Sequence, residues 1–260
     1  FTITSHAGQG CAITSRLLVP EAEQAEVVDL VADMLVALDR PVQVHYDMEG
    51  PPSGNSDRVW RVARAAWELA DPDADFHLLL QDDAVPCPDL LAGLERALES
   101  VPDDVTVCPY LGRGGAVAHR WSRIAADADR REACWVVSLK LMWGVAICLP
   151  TKLIPEMIAR ADRMTGVPDD MRVSGWTRIR GSEVWYTWPS LVDHRPVPSI
   201  TKHRAADRRA EKHCQGSALE LDWNGPVVRD PMYARVRGAR SGPSSNRKVT
   251  SLKQRPAPER

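Results

Sequence analysis

The 260-residue sequence predicts an α/β protein built on an open, mostly parallel sheet flanked by helices. Three observations point there. Strand-like stretches alternate with amphipathic helical ones through the first half of the chain. The run His77-Leu78-Leu79-Leu80-Gln81 is apolar at its centre without alternation, the pattern of a strand covered on both faces. With 44% hydrophobic and 26% charged residues, the composition is that of a globular chain able to bury a sizeable core.

Taken in order, Phe1 to Ser5 alternates as a short strand does, and His6-Ala7-Gly8-Gln9-Gly10 follows as a glycine-bearing loop with a weak phosphate-loop signal. Ala25, Val28, Val31, Ala32 and Leu35 recur at three- and four-residue steps, which predicts a helix over Glu21 to Leu38 opened after Pro20. Val42 to Tyr46 reads as the second strand; it closes at Asp47, before the turn-rich Gly50-Pro51-Pro52-Ser53-Gly54-Asn55. Ser56 can cap a helix to about Ala70, with Val59, Ala63, Ala66 and Ala70 on one face and Arg58, Arg61 and Arg64 partly off it. The strand at His77 to Gln81 stops at Asp82-Asp83. Pro86 and Pro88 then break the chain, and Leu90, Leu91, Leu94 and Leu98 form the buried stripe of the next helix.

Val105 to Leu111 reads as a strand and Arg120 to Arg131 as a polar helix. The long apolar stretch Trp135 to Leu149 is interrupted at Gly144, so two strands with a bend fit it better than one. Ile154, Met157, Ile158 and Ala161 mark a helix ending near Gly166, and Glu183 to Val192 is the last strand. From about Gly238 the Arg/Ser/Gly/Pro-rich sequence reads as a flexible tail.

No apolar run approaches the roughly 20 residues that cross a bilayer, and the start at Phe1 reads as trimmed or processed rather than as a signal peptide. The net charge of -2 hides an acidic first 200 residues and a basic remainder: from Thr201 onward there are 14 Lys/Arg against 6 Asp/Glu. A solvated end explains such a bias, and so does an anionic partner. The six cysteines form no C-x-x-C pair and no zinc spacing, and read as buried free thiols of a cytoplasmic protein.

Asp82 and Asp83 stand at the carboxyl end of the most hydrophobic strand, where an α/β sheet presents its ligands. Adjacent carboxylates repel, so a cation or hydrogen-bond donors must compensate them. A hard divalent ion carrying phosphates would do so. The plainer alternative is a helix-entry cluster, with Asp89 and its neighbours capping the following helix. His194, at the end of Pro189-Ser190-Leu191-Val192-Asp193-His194-Arg195, is a further candidate ligand or else a structural histidine. In Pro168-Asp169-Asp170-Met171-Arg172-Val173, a carboxylate can act as general base or cap a short helical turn running toward Trp176.

These stretches together resemble glycosyltransferases of the GT-A type, and most of all the lipooligosaccharide and procollagen galactosyltransferase group with its small bacterial and phage-encoded relatives. The matching segments are Leu78 to Pro88, Trp143 to Ile158, Asp169 to Val173 and Pro189 to Arg195, in family order. The resemblance implies a GT-A catalytic domain over 1–200, a basic extension over 201–237 packed on or beside it, and a flexible basic tail over 238–260. It implies a metal-dependent, inverting transfer of sugar from a nucleotide-sugar co-substrate to an acceptor hydroxyl, with manganese or magnesium as cofactor. Asp83 and His194 would hold the metal, Asp47, Arg58 and Asp82 the nucleotide-sugar, and Asp170 would be the base. Trp143, Gly144, Trp176 and Asp169 would face the acceptor. Gln81 departs from the family, which often has a third acidic residue there.

Nine tryptophans against two phenylalanines favour ring stacking as well as core packing, and Trp143 and Trp176 are the two assigned to a sugar. Lys202, Arg204, Arg208, Arg209 and Lys212, then Arg235, Arg237 and Arg240, suit the phosphates of DNA, and so raise a hydroxylated phage base as one acceptor beside a glycan. A nucleotidyltransferase using the same Asp pair and cation is the second class to weigh, and a nucleic-acid-binding module the third. Glycoside hydrolysis fits poorly, because its two carboxylates must stand apart.

Overall fold

The computed structural model describes residues 12–18, 34, 36–38, 42–47, 56–113, 118–195 and 208–232. Its elements are β1 Ala12–Leu18, β2 Gln43–Asp47, α1 Ser56–Glu68, β3 Phe76–Gln81, β4 Ala84–Pro86, α2 Leu90–Leu98, β5 Thr106–Cys108, α3 Ala118–Arg130, β6 Trp135–Ser138, β7 Ala146–Pro150, α4 Ile154–Ala161, α5 Asp169–Arg180, β8 Val184–Thr187, β9 Val192–His194 and β10 Val227–Arg229. Eight strands form one sheet in the order β10-β6-β8-β5-β7-β3-β1-β2, and β4 and β9 form a separate two-stranded ladder.

The pairs β1/β2, β1/β3, β5/β8 and β6/β10 are parallel, whereas β7 opposes both β3 and β5, and β6 opposes β8. The expected class, an α/β chain with a mostly parallel sheet and flanking helices, is the one adopted. Strands β1, β2, β3, β5 and β8 all finish at one end of the sheet, and that end carries the candidate site.

Burial explains the elements. Leu78, Leu79 and Leu80 are buried in β3, as their unalternating run requires, and β3 lies between β1 and β7. In α2 the four leucines of the predicted stripe are all buried. Helix α1 packs through Trp60, Val62, Ala63, Ala66 and Trp67. The face read from the alanines therefore turns slightly, because two indoles bury more area than Val59 and Ala70. The bend at Gly144 separates β6 from β7 as expected.

Other elements differ from expectation. The first described strand is Ala12–Leu18. The strand expected at Phe1 to Ser5, the loop at His6 to Gly10, the Gly50 to Asn55 turn and the tail beyond Gly238 lie outside the described residues, as does most of the Glu21 to Leu38 helix. The Val105 to Leu111 strand pairs only over Thr106–Cys108. Glu183 to Val192 divides into β8 and β9 around the cis Trp188-Pro189 bond, where Pro189 has no N–H to continue a ladder.

The largest difference is α5, a full helix where a loop with at most a short turn was expected. Its core side is partly polar, which hides it from an apolar pattern. Arg172, 1% exposed, donates from Nε to the Val167 carbonyl (2.7 Å) and from Nη1 to the Ala161 carbonyl (2.9 Å), and it pairs with Asp57 of α1. Residues 208–232 also belong to the body: Ala210, Cys214, Ala218, Trp223 and Val228 are buried, and β10 extends the sheet along β6. Cys87, Cys108, Cys134, Cys148 and Cys214 are free and buried, and among the described residues no helix is long and apolar enough to cross a membrane.

Candidate functional site

At the carboxyl end of β3 the chain turns through Asp82 and Asp83 into β4, which pairs antiparallel with β9 so that Ala84 faces His194. The Arg195 amide donates to the Asp83 carbonyl at 2.8 Å and closes this ladder. Two residues separated by over a hundred positions are thereby brought together: Asp83 Oδ2 lies 2.9 Å from His194 Nε2. The imidazole is buried, and the carboxylate is 18% exposed at its side chain. Asp83 Oδ1 is itself buried, with no hydrogen-bond partner among the described residues.

The orientation of the ring follows from its other nitrogen. His194 Nδ1 lies 2.5 Å from the Arg195 carbonyl oxygen, which can only accept, so Nδ1 carries a proton, and a ring without a second proton presents a lone pair at Nε2. That lone pair meets Arg208 Nη1 at 2.9 Å, and the same nitrogen is 3.7 Å from Asp83 Oδ2. Arg208 is held by its neighbours. Asp193, 3% exposed, accepts the Ala210 amide at 2.7 Å and the His194 amide at 2.8 Å, and it pairs with Arg209 at 2.5 Å. Tyr110 donates its hydroxyl to the Arg208 carbonyl, and its acidity is suppressed by burial and then by the charges of Asp193 and Asp83.

The second part of the site comes from α5. A Cβ built on Gly144 would stand 3.1 Å from Asp170 Cβ and 3.3 Å from Gln81 Nε2, so the missing side chain lets the first turn of α5 close over the end of β3. Asp170 is half-buried, and its Oδ1 accepts the Met171 amide at 2.7 Å. Asp169, also half-buried, is the first residue of the helix after Pro168. Carboxylates are stabilised in such a first turn by the exposed N–H groups and the helix dipole. One oxygen of Asp170 is thus engaged locally within the first turn, while Pro168 at the N-cap supplies no side-chain cap bond.

The remaining sequence candidates divide. Asp82 sits in the turn beside Asp83, Asp47 ends β2 two strands away at the same end of the sheet, and Arg58 lies in the first turn of α1. Trp143 is half-buried beside Gly144, and its ring meets Tyr110, Trp121 and Tyr186 edge-on at centroid distances of 6.0, 5.4 and 5.9 Å. Trp176 corrects the expectation of an acceptor platform: it is 2% exposed, with Nε1 bonded to Glu156 at 3.0 Å, so neither indole face is open to a sugar. Of the basic residues assigned to DNA phosphates, Arg209 and Lys212 pair with Asp193 and Asp129, and Arg208 stands at the Asp83–His194 pair. Arg208, Asp193 and Tyr110 were missed as site residues, because only the folding of 208–214 against β9 and Leu111 brings them there.

A divalent cation fits this pair. Asp83 Oδ2 and His194 Nε2 stand 2.9 Å apart, held by the Arg208 guanidinium or by a proton on Nε2, and a bound cation could take the same place. Cis ligands of a six-coordinate ion at about 2.1 Å stand roughly 3 Å apart. A carboxylate oxygen with a neutral imidazole suits manganese, and the carbonyl bond at Nδ1 is the kind of support that fixes a metal-binding ring. Among the described residues no group of three His, Cys, Asp or Glu gathers in ligand geometry, so a cation here would draw its other ligands from phosphate and water.

No family model and no curated protein matches the sequence. Among solved structures, Drosophila β1,4-galactosyltransferase 7 in complex with manganese, UDP-Gal and xylobiose overlays at 13% identity and a TM-score of 0.41, over 79% of this chain and 72% of that one. The bifunctional glycosyltransferase WbbM overlays at 9% identity and 0.35, over 66% of this chain and 39% of that one. A 4-diphosphocytidyl-2C-methyl-D-erythritol synthase from Anaerococcus prevotii overlays at 10% identity and 0.37, over 76% and 94%.

Proposed function

We propose that the chain transfers a sugar from a nucleotide-sugar donor to an acceptor hydroxyl. The observation that carries this reading is the Asp83–His194 pair at the carboxyl edge of the sheet, with the first turn of α5 closed over the same strand end. The segments that resemble GT-A glycosyltransferases are the ones that meet there. Asp83 and His194 would hold manganese or magnesium, which as a Lewis acid neutralises the charge of a leaving diphosphate.

Asp82, Asp47 and Arg58 serve the nucleotide side: Asp82 follows β3, Asp47 ends β2 and Arg58 lies in the first turn of α1. Asp170 takes the acceptor proton. Its Oδ1 accepts the Met171 amide at 2.7 Å, which holds the carboxylate in the first turn of α5. A base on the acceptor side implies direct displacement with inversion at the sugar carbon. Trp143 and Gly144 border the acceptor, with Asp169 beside them.

Calorimetry on the full chain tests the donor half. Wild type should bind a nucleoside diphosphate more tightly with manganese than without, and Asp83→Ala should abolish the difference. His194→Ala should weaken it less completely, because water can replace one ligand. Equal affinities throughout would refute the metal-assisted reading. Incubating the chain with sugar nucleotides and candidate acceptors, glycans and hydroxymethylated DNA among them, identifies the acceptor by mass shift. Release of nucleoside diphosphate rather than pyrophosphate separates glycosyl transfer from nucleotidyl transfer.

A further inference from the structure

Arg208 does more than pack. Its guanidinium reaches both atoms that would ligate a cation, at 2.9 Å from His194 Nε2 and 3.7 Å from Asp83 Oδ2. The backbone that carries it is pinned on three sides: by the Tyr110 hydroxyl, by Asp193 through Ala210 and Arg209, and by the Arg113 amide on the Arg209 carbonyl at 2.7 Å. The side chain is 24% exposed, so a fixed backbone delivers a cation to the mouth of the site.

We propose that Arg208 is a donor-binding residue that serves as a tethered counter-ion: it rests on Asp83 and His194 and passes to the donor's diphosphate when a divalent cation takes those two atoms. This rests on the glycosyltransferase reading and names the residue that couples metal loading to donor capture. A carboxylate and an imidazole lone pair cannot both accept from the guanidinium and ligate a metal through the same atoms, so the two cations exclude each other there. Once displaced, the guanidinium remains within a side chain's length of the site. Its planar set of donors suits two phosphate oxygens. Arg208 therefore adds positive charge to the diphosphate beside the metal, and holds the pair together before the donor arrives.

The test uses the full chain with Arg208→Gln and Arg208→Lys, folding being checked by circular dichroism and melting. Manganese alone is titrated by the paramagnetic signal of the free ion, and nucleoside diphosphates and the corresponding nucleosides by calorimetry with manganese present. Arg208→Gln should bind manganese alone about threefold or more tightly, because no tethered cation competes. It should lose about 10- to 100-fold in diphosphate affinity, the worth of a charge-assisted contact. Nucleoside affinity should not change, and Arg208→Lys should recover part of the diphosphate loss.

Folded variants with unchanged diphosphate affinity overturn the proposal and leave the glycosyltransferase reading intact. Weaker manganese binding in Arg208→Gln also overturns it, since the arginine would then support the metal rather than exclude it. A wild-type chain that binds neither manganese nor any nucleoside diphosphate removes both readings.

Discussion

Asp170 carries two readings that a single residue pair can separate. As the base, it loses its basic oxygen in Asp170→Asn while keeping shape and hydrogen bonding, so turnover should fall by about 10²–10⁴ with donor affinity retained. Asp169→Asn should cost much less. If both side chains only cap α5, each substitution should change stability little, because asparagine caps a helix about as well as aspartate, and leave turnover nearly intact. Single-turnover rates measured beside donor affinity decide it: a slow Asp169 variant beside a normal Asp170 variant would move the role to the neighbour. The Met171 amide donates to Asp170 Oδ1, a contact within the first turn that is compatible with the proposed base. At this scale the sequence identified residue types well and partners poorly. Asp83 and His194 are both candidate ligands in the sequence, but Arg208 reads only as one more basic residue of an extension, because its charge gains meaning from the two atoms it meets.

Helix α5 is positioned by what it lacks as much as by what it touches. It leans on Gly144 with Asp170 Cβ within 3.1 Å of where a Cβ would be, while Arg172 anchors its opposite side to α1 and to the end of α4. Gly144→Ala should therefore push the first turn outward by a few tenths of an ångström and shift Gln81 on the other side. The expected result is a loss of roughly tenfold in turnover with a melting temperature close to wild type, since misplacement of a reacting group costs rate steeply. A parallel loss of stability would show instead that the bend at Gly144 matters to folding. The helix escaped the sequence reading because its buried side includes Arg172 and Thr177 beside Val173 and Trp176, so the apolar period is broken where the polar anchor lies. Helix α2, with four buried leucines in register, was read without difficulty.

For the whole molecule, the question is where the working body ends. Residues 208–232 supply Cys214, Ala218, Trp223 and Val228 to the core and the edge strand β10. Just past that strand, Asp230, 1% exposed, takes the Ser138 hydroxyl at 2.9 Å and pairs with Arg120 of α3. A chain ending at 200 should therefore fail to melt cooperatively, having lost buried tryptophan and a sheet edge together. Deleting 238–260, by contrast, removes Val249 and Leu252 as its only large aliphatic residues, and melting should stay within a few degrees of the full chain. Calorimetry of the two truncations checks both expectations, and a large loss from the shorter deletion would extend the body to the terminus.

What the sequence by itself determined was local. Periods of two and 3.6 residues, proline and glycine breaks and an unalternating leucine run located β2, β3, α1, α2, β6, β7 and α4 to within a few residues, because each depends on neighbours along the chain. It also determined that the acidic pair follows the central strand. Tertiary structure alone decided which distant side chains share that end of the sheet: it brought His194 to Asp83 through the β4/β9 ladder, folded Arg208 onto both, buried Trp176 and closed α5 over Gly144. Such contacts span tens to over a hundred residues, and their energy comes from packing and pairing of surfaces that no local pattern encodes.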